Sequence, residues 1–324
     1  MPQTDTAQIL YEPIEDSLRF LPEGPYPVDS DIFSWVAIQH GPDSVFGSLN
    51  IFRYGEQSND THILPGRPGF AFRCDQPHAF VIGCERQLGI YRTDTGQWQP
   101  FCTEIEQNVD NTIINDAVIW EDNLIFGCKD LQFRTPKAGL YLWRGRDQRL
   151  FPLRRDQICS NGKAVRQSEG RLQLIDIDSP TRRIVGYSLD IDRGSVDQPQ
   201  TLVDLTADPG VPDGMVLTPD GQGVIVSIYL PQRASAGQTR WYDLASGELV
   251  HVWETPDSPQ NTCPQLLDLG AKTRLVITTA VENMPAEQRP YASKAGCLFV
   301  AETPFDRPPE NPPFPIAAAG RQGT

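Results

Sequence analysis

The sequence predicts an all-β fold: a six-bladed β-propeller whose ring is closed by an N-terminal strand. Three observations lead to it. First, 29 prolines and 26 glycines interrupt almost every segment that could form a helix. Second, short β-branched and aromatic runs bounded by turn residues recur along the whole chain, for example HAFVIGC, NLIFGC and GVIVSIY. Third, these runs repeat with a regular period, which is typical of arrays built from one small unit.

The period is visible in two independent series of residues. The residue that opens each candidate inner strand recurs with spacings of 46, 46, 46, 52 and 49, at Glu23, Gly69, Asn115, Asn161, Asp213 and Thr262. The turn that follows it recurs with spacings of 46, 46, 47, 51 and 49, at Asp31, Pro77, Asn123, Gly170, Gly221 and Gly270. A repeat of about 40–50 residues with four short strands is typical of a propeller blade.

Taken in order, the repeats predict a single domain over residues 1–324. The six blades are expected at roughly residues 23–68, 69–114, 115–160, 161–212, 213–261 and 262–303. The segment 7–14 is interpreted as a strand that pairs with the last blade and removes an open sheet edge. Residues 304–324 contain six prolines and form a Pro-rich tail, extended or frayed. Two domains are the alternative, although no linker interrupts the period.

Composition and charge exclude several classes of partner. A formal net charge of −14 disfavours nucleic acid and anionic membrane surfaces. No apolar stretch is long enough to span a membrane, and the N-terminus lacks the pattern of a secretory signal. The 7 cysteines are an odd number without a CxxC pair, as expected for buried thiols in a reducing compartment. We therefore expect a cytoplasmic protein with a small-molecule partner. The sequence does not determine its oligomeric state.

The first series of residues points to a metal site. First strands of propeller blades line the central channel, so Glu23, Asn115, Asn161 and Asp213 should converge on one mouth of it. Carboxylate and carboxamide oxygens suit a hard divalent cation, Ca²⁺ first, with Mg²⁺, Mn²⁺ or Zn²⁺ as alternatives. The four histidines occupy none of these positions, which disfavours zinc. Singly, each of these residues is also an ordinary loop residue.

Four segments carry a family resemblance, in order: LPEGP (21–25), INDAVIWEDNLIFG (114–127), SNGKAVRQSEGRLQLID (160–176) and PDGMVLTPDGQGVIVSIY (212–229). The chain resembles the SMP-30/gluconolactonase/luciferin-regenerating-enzyme (regucalcin-like) family. The resemblance implies a propeller with a divalent metal in its channel, and usually lactone hydrolysis. It further implies that Glu23, Asn161 and Asp213 bind the metal. Asn115 would bind metal or substrate, and Asp116 would contact the substrate.

A mechanism follows from these residue types. A bound cation polarises a carbonyl oxygen, and Asp213 has the charge to act as base or nucleophile. Ile113 departs from the family, because sugar-lactone members have an Arg there that contacts substrate hydroxyls. Because Ile113 lacks the hydrogen-bond donors of that Arg, a less polar lactone or ester is favoured as the substrate. Lys129 is one of several charged residues in the loops around the mouth that could replace it, although a solvated role is the simpler interpretation for each.

Two other functions stay open from the sequence. The same site could hydrolyse a phosphotriester or another ester, as some family members do. Alternatively, the protein could be a metal-containing binding propeller without enzymatic activity. Ile113 and the altered third-blade segment EDNLIFGCKD support this second alternative.

Overall fold

The computed structural model describes residues 2–168 and 170–320, and it contains six sheets arranged around a central channel. Two short strands precede the ring: β1 (Gln3–Thr6) and β2 (Gln8–Tyr11). Blade one contains β3 (Pro22–Asp29), β4 (Ile32–Ala37), β5 (Ser48–Arg53) and β6 (Ser58–Ile63). Blade two contains β7 (Pro68–Arg73), β8 (Ala79–Cys84), β9 (Gln87–Arg92) and β10 (Trp98–Cys102). Blade three contains β11 (Thr112–Trp120), β12 (Asn123–Asp130), β13 (Ala138–Arg144) and β14 (Arg149–Gln157).

The second half of the ring repeats this pattern. Blade four contains β15 (Ser160–Ser168), β16 (Arg171–Asp178), β17 (Arg183–Asp190), β18 (Ser195–Val196) and β19 (Gln200–Asp204). Blade five contains β20 (Val211–Leu217), β21 (Gly223–Tyr229), β22 (Ala236–Asp243) and β23 (Leu249–Pro256). Blade six contains β24 (Asn261–Leu269), β25 (Lys272–Thr279) and β26 (Leu298–Glu302).

Helical structure is confined to short 3₁₀ turns in the described part of the chain. They cover Asp16–Arg19, Ser179–Thr181, Arg289–Tyr291 and Ile316–Ala319. None of the helices within residues 2–168 and 170–320 has the length and apolar character needed to cross a membrane.

The ring closes through the N-terminal segment. Strand β2 pairs antiparallel with β26, with Gln8 opposite Val300 and Ile9 opposite Phe299. Strand β1 adds a parallel fifth strand to blade five, where Gln3 lies opposite His251. The prediction of a six-bladed propeller closed by an N-terminal strand is therefore confirmed. The closing strand, Gln8–Tyr11, is shorter than the predicted segment 7–14, and β1 pairs with the neighbouring blade five.

The core lies between adjacent blades. Six apolar clusters join them around the ring. In the cluster between blades six and one, the rings of Phe33, Trp35 and Phe52 are fully buried. Burial on both faces explains why so many strands are continuous apolar runs rather than alternating patterns. The inner strands are thereby held at fixed positions around the channel.

A β-bulge occurs at an equivalent place in every inner strand. The pairing with the second strand shifts register between Glu23 and Tyr26, Pro68 and Phe70, Ile114 and Ala117, Ser160 and Lys163, Pro212 and Met215, and Asn261 and Pro264. The first residue series thus lies at these bulges, whereas the sequence placed it at the strand starts. A bulge bends the strand and re-aims its side chains. Here it turns the same position of several blades toward the channel.

The Pro-rich tail packs against the propeller as far as Gly320. Phe314 is fully buried and forms a bridge with Cys74. The Tyr26 hydroxyl donates to the Pro312 carbonyl at 2.8 Å, and the Trp143 indole donates to the Ala318 carbonyl at 3.0 Å. The described part of the tail is thus packed and includes the 3₁₀ turn Ile316–Ala319, and part of it lines the channel end opposite the candidate site described below. The predicted tail residues 321–324 lie outside the described residues.

Candidate metal centre and active site

A cavity of about 470 Å³ occupies one end of the channel. Four of its lining residues are the predicted oxygen donors Glu23, Asn115, Asn161 and Asp213. They come from the inner strands of four different blades, β3, β11, β15 and β20. Its other lining residues are Leu21, Lys129, Phe133, Cys159, Ser179, Pro180, Arg182, Val211, Tyr229, Pro231, Glu282 and Asn283. The cavity therefore combines a polar floor with largely apolar walls, as small-molecule sites do.

The two carboxamides are held by hydrogen bonds on their nitrogen side. Asn115 Nδ2 donates to Asn161 Oδ1 at 2.9 Å and to the Ser160 carbonyl at 3.1 Å. Asn161 Nδ2 donates to Ser179 Oγ at 2.9 Å. Within the described residues no protein donor contacts Asn115 Oδ1. The geometry leaves this oxygen free to bind a ligand.

The carboxyl groups of Glu23 and Asp213 destabilise each other when both are charged. Burial raises the pKa of Glu23 well above its usual range, and the negative charges of Asp213 and Asp116 raise it further. Burial also raises the pKa of Asp213, with Asp116 and Glu282 adding to the effect and Lys129 opposing it. Two carboxylates in one cavity are stabilised when a cation or a proton lies between them.

The residues present fit a hard divalent cation. Across the described residues, no three His, Cys, Asp or Glu side chains come together as a metal-binding group. The candidate ligands are instead two carboxyls and two carboxamides, Glu23, Asp213, Asn115 and Asn161. An all-oxygen set suits Ca²⁺ or Mg²⁺ and lacks the nitrogen and sulfur ligands that zinc prefers. That these residues bind a metal stays a prediction.

A buried ion pair supports the bulge of β15. Lys163 and Asp176 are both fully buried and pair at 3.2 Å. The Lys163 ammonium also donates to the Asn161 main-chain carbonyl at 2.5 Å, and Gln157 donates to Asp176 at 2.6 Å. The hydrogen bond from Lys163 thus fixes the position of the Asn161 main chain. The sequence offered one signal for this, a lysine in the middle of a strand assigned to the inner ring.

Asp116 lies apart from the other predicted site residues. Its carboxyl accepts from the Ala117 N–H at 2.7 Å. It lines a second cavity, of about 430 Å³, which the tail covers. Its pKa is raised by burial and lowered by the nearby Lys163 ammonium. Its charge still affects Glu23 and Asp213, so it lies beneath the candidate site rather than in it. A contact between Asp116 and substrate stays a prediction.

Ile113 is also outside the cavity. Its side chain is 1% exposed and belongs to an apolar cluster between blades. The residue directly opposite it on β12 is Lys129, which does line the cavity. From the sequence, Lys129 was expected only as one of several charged residues in the loops around the channel mouth. Its best sequence signal was its place at the end of the buried run NLIFGC.

Other lining residues were not identified from the sequence. Ser179 and Glu282 come from connections between strands, and Tyr229 ends β21. The Tyr229 hydroxyl donates to the Glu282 carbonyl at 2.5 Å. The arrangement of the blades determines which loop residues meet across the channel. A local sequence pattern does not indicate this arrangement.

The chain is similar to a known family over most of its length. The sequence model of the family described as SMP-30/Gluconolactonase/LRE-like region matches residues 21–281. An uncharacterized protein of Sulfolobus acidocaldarius is 36% identical over 95 residues, which cover 29% of this chain and 34% of that protein. YvrE of Bacillus subtilis, whose name proposes a sugar lactone lactonase, is 29% identical over 158 residues, 46% of this chain and 48% of that protein. The chain thus matches between a third and a half of these relatives' length.

A solved structure shares the fold over nearly the whole chain. Regucalcin of Agrobacterium tumefaciens, described as a calcium-binding protein, superposes with a TM-score of 0.79 and covers 97% of this chain and 99% of its own. The two sequences are 18% identical. At that identity the likeness shows the architecture alone.

Proposed function

The chain belongs to the SMP-30/gluconolactonase/LRE-like family, and on this premise we propose that it is a divalent-metal-dependent hydrolase that opens a lactone ring. The observation that carries the proposal is the convergence of Glu23, Asn115, Asn161 and Asp213 on one cavity at the end of the channel. The site needs a positive charge to balance its carboxylates, and a substrate has room beside that charge.

Each residue has a role in the proposed reaction. When bound, the cation would supply Lewis-acid polarisation of the lactone carbonyl. The Asp213 carboxylate takes a proton from water as the water oxygen bonds to the carbonyl carbon. The protonated Asp213 then returns that proton to the ring oxygen as the carbon–oxygen bond breaks, which yields a hydroxy acid. Glu23 and Asn161 would hold the cation, and Asn115 would direct its free amide oxygen, an acceptor, toward that cation.

Asp213 is suited to act as this base. Its carboxyl lines the cavity next to the other candidate ligands, which places a base within reach of a substrate bound there. Direct attack of Asp213 on the carbonyl carbon is the alternative, and it would pass through an acyl-enzyme. Solvent oxygen incorporation into the carboxylate of Asp213 during turnover would separate the two routes.

The walls support a substrate less polar than a sugar lactone. Leu21, Phe133, Val211, Pro180 and Pro231 surround the polar floor. Apolar walls of this kind contribute hydrophobic binding energy and few hydrogen bonds. A lactone with an aliphatic ring, or a simple ester, fits them better than a polyhydroxylated ring does.

A substrate panel with and without chelator tests the proposal. The protein is purified without chelator, its metal content is measured, and the hydrolysis of lactones, esters and phosphotriesters is followed. We expect lactone opening that EDTA abolishes and Ca²⁺ restores. Absence of lactone turnover with Ca²⁺, Mg²⁺ and Mn²⁺ would contradict it, and turnover of phosphotriesters alone would assign the same site to that reaction.

A second candidate function is metal binding without catalysis. It is favoured by the similarity of the fold to a calcium-binding protein, the Agrobacterium tumefaciens regucalcin. In that case Ca²⁺ would raise the unfolding temperature while no member of the panel is turned over.

A further inference from the structure

Lys129 differs from the other lysines of the chain because its ammonium forms no contact ion pair. Four of the five lysines form ion pairs: Lys137 with Asp130 at 3.1 Å, Lys163 with Asp176 at 3.2 Å, Lys272 with Glu302 at 3.7 Å, and Lys294 with Glu12 at 2.8 Å. Among the described residues, Lys129 forms no ion pair, and its ammonium donates no hydrogen bond. The Phe133 ring centroid lies 5.8 Å from its Nζ, and its charge attracts the Asp213 and Glu23 carboxylates from beyond ion-pair distance.

This unpaired ammonium is buried and lines the candidate site. Lys129 is only 4% exposed and is part of the cavity wall. A buried ammonium that donates no hydrogen bond is costly, because attraction to more distant carboxylates does not replace direct hydrogen bonds. The fold nevertheless holds it firmly: Lys129 pairs with Ile113 on one side and bridges Cys159 on the other.

The loop after Lys129 is also ordered. Asp130 is fully buried and accepts N–H groups of Gln132, Arg134 and Thr135 at 3.3, 3.1 and 3.0 Å. This turn brings Phe133 to the cavity beside the ammonium. Lys129 is thus positioned by both strand neighbours and by a structured turn, and its free donors are available to a molecule in the cavity.

The charges around the cavity indicate what that molecule carries. Three carboxylates line it, Glu23, Asp213 and Glu282, together with two cationic side chains, Lys129 and Arg182. A divalent cation held by Glu23 and Asp213 would neutralise these two carboxylates and leave the Lys129 ammonium with free donors. An ammonium forms its strongest hydrogen bonds with an anionic oxygen.

We propose that Lys129 binds a carboxylate carried by the substrate, so that the site selects lactones with an acidic substituent. This inference rests on the lactone hydrolysis proposed above and names its substrate class. The lactone carbonyl and the substituent would then be held at two places, the first near the cation and the second at Lys129. Lys129 is a specificity-determining residue in this arrangement.

A matched pair of substrates tests the inference. Ring opening of 5-oxooxolane-3-carboxylate and of its methyl ester is followed by NMR for the native protein and for Lys129→Met, with Ca²⁺ present. We expect the native protein to prefer the carboxylate at least tenfold in kcat/KM, mainly through KM, and Lys129→Met to lose that preference. Lys272→Met, which removes an exposed lysine paired with Glu302 outside the cavity lining, is the matched control and should keep it.

A binding measurement makes the test independent of turnover. Calorimetry with 2-(hydroxymethyl)butanedioate, the ring-opened acid, should show binding to the native protein that weakens at least tenfold in Lys129→Met. Calcium affinity and unfolding temperature, measured on the same samples, report the integrity of the site. If the native protein opens no lactone, the proposed function fails, while the calorimetric comparison still tests Lys129. Equal affinity of the two proteins for the diacid, or no binding by either, overturns the inference, as does a carboxylate preference that Lys129→Met retains.

Discussion

At the scale of single residues, Asp213 combines two properties that conflict without a ligand. It is a partly buried acid near other carboxyls, which destabilises the fold, and it is the best-placed base for hydrolysis. Strain of this kind is commonly kept at functional sites because activity needs it. The same change should therefore affect activity and stability in opposite directions.

Replacing Asp213 with Asn tests this directly. We expect lactone turnover to fall by at least about a thousandfold, since the base is lost along with one metal ligand. Without calcium the variant should be more stable than the native protein by about 1–2 kcal/mol, because a buried repulsive charge is removed. Calcium should no longer raise its unfolding temperature. Near-native turnover in Asp213→Asn would show that the base is elsewhere.

The pH dependence of stability provides a second residue-scale prediction. The folded-state pKa values of Glu23 and Asp213 are raised. At pH values between the unfolded-state and the folded-state pKa values, the folded protein therefore binds more protons than the unfolded one. Their contribution to stability is fully present below the unfolded pKa values, about 4.3 for Glu and 3.9 for Asp, and is lost as the pH rises through the folded values.

Calorimetric scans in EDTA from pH 4 to 8 measure this contribution as the difference between the native protein and the double variant Glu23→Gln, Asp213→Asn. The native protein should lose stability relative to the variant as the pH rises. Saturating Ca²⁺ should reduce that loss, since the cation replaces the proton. A difference that does not change with pH would contradict the raised pKa values.

At the scale of elements, the inner-strand bulges determine where the site residues point. Asn115, Asn161 and Asp213 each lie between two register positions of their strand pair. The strands must also approach closely for their oxygens to meet. Gly162 permits this, because a Cβ there would lie 2.6 Å from the Met215 nitrogen and 2.8 Å from the Asp213 carbonyl oxygen.

Gly162→Ala should therefore separate β15 from β20. We expect a loss of about 1–3 kcal/mol in unfolding free energy from overpacking, and at least a tenfold loss of calcium affinity, since Asn161 and Asp213 move apart. Gly55→Ala is the control, because a Cβ at Gly55 meets no atom within 4 Å. Calorimetry of unfolding and of calcium binding measures both effects. Native calcium affinity in Gly162→Ala would show that the two ligands do not depend on this contact.

At the scale of the whole molecule, both ends of the chain complete the ring. The N-terminal strands cover the edges of two blades, and the tail buries Phe314 and covers the second cavity. Propeller sheets with uncovered edges tend to pair with other chains. We therefore expect closure by the N-terminal strands to stabilise the ring.

Deleting residues 1–12 should open the ring. We expect a lower unfolding temperature and concentration-dependent association, since β23 and β26 each lose a partner strand. Light scattering and thermal unfolding measure these effects. Ile9→Thr, a change of a 38% exposed side chain that keeps the backbone pairing, is the control. A truncated protein as stable and monodisperse as the native one would show that closure is not needed.

The single-domain interpretation stays a prediction at this scale. If residues 1–324 form one domain, the chain should unfold in one cooperative transition with no separate step for any group of blades. Coinciding calorimetric and fluorescence transitions would support this. Two resolved transitions would favour the two-domain alternative.

The architecture and the principal site candidates could be predicted from the amino-acid sequence. A period of about 46–52 residues is readable because each blade repeats one local unit, and strands and turns are encoded by short-range patterns. The series Glu23, Asn115, Asn161 and Asp213 followed from that period, since equivalent positions in a ring face the same channel.

The tertiary structure alone decided which side chains share a cavity. Bulges send Asn115 and its neighbour Asp116 to different cavities, and register places Lys129 opposite Ile113. The packed tail and the residues Ser179 and Glu282 come from connections whose positions depend on distant blades. These features arise from contacts between residues far apart in the chain. Local sequence patterns do not predict such contacts.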